Sequence, residues 1–290
     1  MADDKKHNEI HSLGDLVAGA LESHANRHID RGISPGWPSL EPYYRVCKGM
    51  LCLCGGYPSH GKSTFIQAIV MNVTRSDEWV WAIYSPENAP LSRYVRILAS
   101  QWLGVALSRL TADDIRQACE ELADHIYIIT PMEKNMHLDY ILACGEKVKQ
   151  SRGQLDGMVI DPWNELLPPE RGPMNETDHI SMSLSKVRRF ARDMDIAFFI
   201  AAHPPKPMLA PDGSFPRLNS YSFAGSATWR SKSDQILLVY RADYEDSVTN
   251  IDVAKCRFAD IGKVGSVDLK WDWSTSTYIQ LGKDDPYEVD

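Results

Sequence analysis

The sequence predicts an α/β domain with a mostly parallel, twisted sheet flanked by helices and antiparallel strands at its C-terminal edge. Three observations carry this. Short, nearly all-apolar runs alternate with stretches of helical spacing over most of the 290 residues, the pattern of a sheet covered on both faces. The first of these runs leads directly into a glycine-bounded loop and then a helix, the context in which G-x-x-x-x-G-K-S/T carries meaning. Two late β-rich runs, Ile251–Cys256 and Val267–Trp273, are placed to close one edge.

The elements follow in order. Ile10 to Arg27 carries Leu13, Leu16, Val17, Ala20 and Leu21 at helical spacing, and the stretch to Pro42 turns irregular with Gly32, Pro35, Gly36 and Pro38. A helix on a linker is expected over residues 1–45, ahead of one core domain over 46–290. Apolar runs at Met50–Cys54, Trp79–Ser85, Ile126–Thr130, Met158–Asp161, Ala197–Ala202 and Ile236–Tyr240 read as strands. Between them, Leu91–Leu103, Leu138–Gln150 and Ile180–Met194 read as helices.

Composition sets the bounds. The formal net charge of −8 argues against a generally basic nucleic-acid-coating surface, although a local basic channel depends on where positive groups lie rather than on their sum. The six cysteines form no C-x-x-C pair, so a zinc site is not expected and the thiols read as reduced and cytosolic. No apolar run approaches the ~18 residues of a membrane span, and the start lacks a signal peptide's apolar stretch. A cytoplasmic protein is expected.

The segment Gly56-Tyr57-Pro58-Ser59-His60-Gly61-Lys62-Ser63-Thr64 fits the phosphate-loop pattern. Glycines 56 and 61 let backbone N–H groups turn inward around a β-phosphate, and the helix that follows points its positive end at the same anion. Gly56, Ser59, His60, Gly61, Lys62, Ser63 and Thr64 are therefore the expected nucleotide-binding residues. Lys62 would reach the β- and γ-phosphates, and Ser63 would sit on Mg²⁺. ATP or another NTP, with Mg²⁺, is the implied ligand pair.

Three further polar residues close apolar strands. Asp161 ends Gly157–Ile160 and is the expected metal-ordering carboxylate; a plain strand cap is the alternative. Glu87 follows Trp79–Ser85 and would orient an attacking water, with Glu165 as the rival base and a solvated loop glutamate as the simpler reading. His203 ends Phe198–Ala202, where it would touch the γ-phosphate or merely cap the strand.

Together these residues resemble the DnaB-type and Twinkle-like hexameric replicative helicases built on the RecA-like ATPase core, in the phage and mitochondrial branch. The stretches that carry the resemblance are Arg31–Leu40, Gly56–Thr64, Tyr84–Glu87, Val159–Asn164, Ala202–Pro204, Phe223–Trp229 with Lys232 and Asp234, and Ala254–Phe258 leading into Gly262–Gly265. The resemblance implies Lys62 and Ser63 on phosphate and Mg²⁺, Glu87 as base, Asp161 at the metal and His203 as γ-phosphate sensor. It implies that Lys255 and Arg257 form a K-x-R pair whose arginine enters the neighbouring subunit's nucleotide, so that hydrolysis requires a ring. A solvated strand edge is the alternative for that pair. The N-terminal helix would dock on the adjacent subunit, or else fold back on its own domain.

The resemblance also implies single-stranded DNA between the loops that follow Asp161 and His203. The first, Trp163 to His179, carries Glu165, Glu170, Glu176 and Asp178 against Arg171, a poor match for phosphate. The second, Pro204 to Ser222, offers Lys206 and Arg217, with Phe215 and Tyr221 as stacking groups. The chain shows no primase or zinc module, so priming is expected from another polypeptide or a missing segment. The expected function is an ATP-dependent, ring-forming DNA helicase of replication. A RecA/RadA-like recombination ATPase and an NTP-gated DNA-binding scaffold or loader are the alternatives, and a homohexamer, single-stranded DNA and a separate primase or polymerase are the expected partners.

Overall fold

The computed structural model describes residues 11–25, 31–167, 175–206, 209, 214–223, 226–242, 245 and 247–281. Nine strands form one sheet in the order β3-β2-β4-β5-β1-β6-β7-β8-β9. They are β1 (Leu51–Gly55), β2 (Trp81–Tyr84), β3 (Ile126–Ile128), β4 (Gly157–Ile160), β5 (Ala197–Ala202), β6 (Gln235–Tyr240), β7 (Val248–Cys256), β8 (Gly265–Asp272) and β9 (Thr277–Gln280). Strands β1 to β6 pair in parallel, and β6 to β9 pair antiparallel. The expected fold class is the one observed.

The period of two along the strands divides the core between two faces. Cys52 and Cys54 point into one cluster with the helices α2 (Lys62–Asp77) and α3 (Leu91–Leu103). Leu51 and Leu53 point into the other, against α5 (Leu138–Arg152) and α6 (Glu176–Met194). Each fully buried leucine contributes about 2 kcal/mol of transfer free energy, which is why β1, buried at every position, anchors the loop that follows it.

Two elements escape the sequence reading. Helix α4 (Ala112–Leu122) begins with a capping box in which Thr111 accepts from the Asp114 N–H, a T-x-x-D signature. Strand β9 is short, and its partner β8 supplies its place. The expected helix near the N-terminus is α1 (Val17–Ala25), preceded by a turn of 3-10 helix at Gly14–Leu16. Its apolar side chains are not folded back: Leu13 is 85%, Leu16 49%, Val17 49% and Leu21 64% exposed.

Residues 31–46 are irregular in backbone yet packed on the core. Trp37 stacks on Phe65 of α2 at 5.3 Å between ring centroids and donates its indole N–H to the Tyr278 carbonyl at 2.9 Å. Leu40 and Tyr44 are buried beside it. No helix among the described residues is long and apolar enough to cross a membrane.

Candidate active site

The strand ends decide where chemistry can occur. In parallel register Gly55 of β1 lies beside Ala202 of β5, and Tyr84 of β2 beside Ile160 of β4. The residues that follow, Gly56, His203, Glu87 and Asp161, therefore emerge on one edge of the sheet, where open α/β sheets place their ligands. A cleft of about 530 Å³ opens there, lined by Ser59, Gly61, Lys62, Ser63, Thr64, Glu87 and His203 among others.

The phosphate loop is shaped by a left-handed residue at its end. Gly61 caps α2 with φ +91°, and a Cβ there would come within 2.0 Å of the Tyr278 hydroxyl. That hydroxyl donates to the Gly61 carbonyl at 3.2 Å, so β9 braces the loop from outside. Ser59 also takes a positive φ, 65°. The first N–H groups of α2 face the cleft, a ready anion site.

Lys62 is 4% exposed. Its Nζ lies 3.1 Å from His203 Nε2. Burial holds its ammonium below the ordinary lysine range, opposed chiefly by Asp161. Burial likewise pushes His203 down to about 4, helped by the Lys62 charge, so the imidazole is neutral and Nε2 accepts from Lys62. The proton then resides on Nδ1, a buried atom with no hydrogen-bond partner in the structure. An orphaned donor at the cleft wall is the fit expected for a phosphate oxygen.

Asp161 is 4% exposed. Its Oδ1 accepts from the Ser63 hydroxyl at 2.8 Å and its Oδ2 from the Ser85 hydroxyl at 3.2 Å. Burial raises its carboxyl, and Ser63 and Lys62 draw it back. A hydroxyl and a buried carboxylate in contact are the hard oxygen ligands that magnesium takes; these two residues fit it. Glu87, on the 3-10 turn Pro86–Asn88, lines the cleft while Glu165 does not. The structure thus favours Glu87 over its rival as the group beside a reacting phosphate.

Lys255 and Arg257 stand elsewhere. Neither lines the cleft. Both are gripped by the C-terminal carbonyls of α7 (Ser226–Lys232) and by the residue after it. Lys255 Nζ donates to the Arg230 carbonyl and, at 2.7 Å, to that of Ser233; Arg257 Nη2 donates to the Ser231 carbonyl at 3.0 Å. Arg257 Nε lies 2.7 Å from Oδ1 of Asp234, an aspartate only 1% exposed that also pairs with Arg188 at 3.0 Å. Burial and the neighbouring Arg257 push the Lys255 ammonium down to about 8.

Sequence reasoning missed the outer wall of the cleft, formed by Arg241, Trp271, Trp273 and Tyr278. Arg241 lies over the Trp273 ring at 4.6 Å. Arg241 directly follows β6 as His203 follows β5, so the same strand-end rule would have found it; the tryptophans offered no such signal. In the second loop Lys206 is exposed, whereas Arg217 lies over Tyr240 at 4.3 Å and donates to Asn250 Oδ1 at 2.7 Å. Phe215, expected as a stacking platform, packs instead on Tyr57 at 4.7 Å. Tyr221 stays 59% exposed. Glu170 and Arg171 of the first loop, and Ala224 and Gly225, lie outside the described residues.

Residues 32–280 match the family of the DnaB-like helicase C terminal domain. The chain belongs to that family. The DnaB-like chain is 30% identical over 262 residues to the Twinkle homolog protein, chloroplastic/mitochondrial, of Arabidopsis thaliana, a match that covers 85% of this chain and 36% of that protein. It thus spans about a third of that relative. Among solved structures, an ATPase domain determined on its own superposes with a TM-score of 0.79 at 18% identity, covering 94% of this chain and all of that one. A DnaB-like replicative helicase studied with its primase interactions gives 0.76 at 18% identity, over 94% of this chain and 68% of that one. The RadB recombinase gives 0.58 at 13%, over 86% of this chain and 100% of that one. These likenesses place the DnaB-like sheet and helices in the RecA-like ATPase fold, whose family uses nucleotide.

The histidine contact yields a pH prediction. A neutral His203, with its folded value near 4 against an ordinary 6.5, contributes stability that is fully present above pH 6.5 and is lost as pH falls toward 4. Thermal unfolding of the nucleotide-free protein is expected to shift down across that window, and less so for His203→Gln. Equal slopes in the two proteins would contradict the assignment of a neutral buried imidazole.

Proposed function

We propose that the chain is the motor of an ATP-driven, ring-forming helicase that translocates on single-stranded DNA in replication. The observation that carries the reading is a divided site. Lys62, Ser63, Glu87, Asp161 and His203 converge on one cleft edge, while Lys255 and Arg257 are held away from it on the α7 carbonyls. A guanidinium so placed serves a nucleotide bound to a neighbouring copy, which makes turnover depend on assembly. Lys62 and the α2 N–H groups bind the phosphates, Glu87 orients the attacking water and His203 contacts the γ-phosphate. Magnesium, held by Ser63 and Asp161, would neutralise phosphate charge. The Arg241 and Trp273 pair offers a flat, partly cationic wall on which a nucleobase stacks.

The N-terminal 45 residues act as a tether ahead of the motor at 46–290, with Trp37, Leu40 and Tyr44 as its anchor and the exposed face of α1 as its docking surface on the next subunit. Lys206 and Arg217 are the proposed DNA phosphate contacts, a cytoplasmic setting fits the chain, and a separate primase or polymerase is the proposed partner. The RadB likeness keeps a strand-exchange ATPase in view, but its TM-score of 0.58 lies below the 0.76 of the DnaB-like replicative helicase. Forked-duplex unwinding with ATP is the deciding assay. Unwinding supports the helicase, pairing of homologous strands supports the recombinase, and DNA binding with neither supports a scaffold.

A further inference from the structure

The second loop is fastened to the phosphate loop through Phe215. Its ring sits 4.7 Å from Tyr57 and, edge-on, 5.2 Å from His60. His60 in turn lies 5.3 Å from Tyr57 and 5.5 Å from Tyr240 of β6. The backbone is pinned as well, because the Tyr240 hydroxyl donates to the Phe215 carbonyl at 3.0 Å. Tyr57 and His60 occupy variable positions of G-x-x-x-x-G-K-S/T and are 3% and 0% exposed. Phosphate binding by such a loop uses backbone N–H groups and the lysine, so two buried aromatic rings there call for another cause.

The box reaches the far wall of the cleft too. The Arg241 N–H donates to His60 Nδ1 at 3.1 Å, which leaves the imidazole proton on Nε2. Arg241 is the residue whose guanidinium covers Trp273. Close-packed rings do not absorb displacement. A shift of Phe215 must therefore move Tyr57 and His60, and with them the loop that ends in Gly61 and Lys62.

We propose that Phe215 is a positioning residue that couples the two ligands of the motor. A strand bound by the second loop resets Phe215 and so changes nucleotide affinity at the phosphate loop, and bound nucleotide changes strand affinity by the same factor. This rests on the reading of the second loop as the single-stranded DNA contact. The coupling is expected to be about tenfold, within the roughly 5–150-fold range of allosteric pairs.

The test is a pair of titrations: a fluorescent non-hydrolysable ATP analogue with and without oligothymidylate, and labelled oligothymidylate with and without the analogue. Wild type is expected to show at least about a fivefold effect in each direction. Phe215→Ala and Phe215→Leu are expected to bind each ligand alone within about threefold of wild type, with mutual effects below about twofold; Phe215→Tyr restores them. Full coupling in Phe215→Ala or Phe215→Leu overturns the proposal. So does an equal loss of nucleotide affinity with and without the oligonucleotide, which would make Phe215 a structural support only. A wild type that binds both ligands without mutual effect overturns the coupling alone, and one that binds no oligonucleotide overturns the reading of the loop and the coupling with it.

Discussion

Replacing Lys62 with Ala is expected to remove nucleotide hydrolysis while leaving the fold intact. The lysine begins α2 behind Gly61 and lines the cleft, and its Nζ meets His203 there. Asp161 keeps its hydrogen bonds from Ser63 and Ser85 when the lysine is truncated, so thermal unfolding should move little. The chemistry should suffer far more. A donor aimed at charge that develops in the transition state contributes roughly 10²–10³ in rate, and Lys62 also anchors the γ-phosphate that His203 would read. Steady-state turnover of Lys62→Ala should fall by at least about a hundredfold. Circular dichroism serves as the check on folding, and normal turnover by a folded variant would sink the phosphate-loop assignment.

Arg257→Ala is expected to bind nucleotide normally and to lose hydrolysis by about 10³-fold or more, the range of arginine fingers. The side chain lies outside the cleft and is 30% exposed, so its loss leaves the nucleotide contacts in place. Asp234 keeps its Arg188 pair and the Leu51 N–H at 3.2 Å, which preserves the local structure. That distinction matters, because a buried carboxylate stripped of all partners would cost about 3–5 kcal/mol. Mixing Arg257→Ala with Lys62→Ala subunits should restore part of the turnover. One subunit then supplies an intact phosphate loop and its neighbour an intact arginine. Absence of rescue in mixed assemblies would place Arg257 in the service of its own subunit.

The candidate site was legible wherever chemistry is written locally. Gly56–Thr64, Glu87, Asp161 and His203 each follow an apolar run, and a parallel sheet delivers all such residues to one edge. Phe215 and Arg217 show the opposite case. In sequence they read as an aromatic and a cation on a polar loop; in the fold they pack on Tyr57, His60 and Tyr240. The hydroxyl that holds Phe215 stands 25 residues further along the chain, and the rings of the phosphate loop stand much further back, beyond any local pattern.

By itself, then, the sequence determined the parallel sheet, the phosphate loop and the strand-end triad of Glu87, Asp161 and His203, because each depends on spacing within a few residues and on the period of two along a strand. Tertiary structure decided which groups share a cleft and which stand apart. The antiparallel strands carry Trp271, Trp273 and Tyr278 round to the phosphate loop. Meanwhile α7 and the buried Asp234 hold Lys255 and Arg257 outside it. The physical reason is packing: long-range pairing of β6 to β9 fixes these positions, and no short stretch of sequence records where a distant strand will lie.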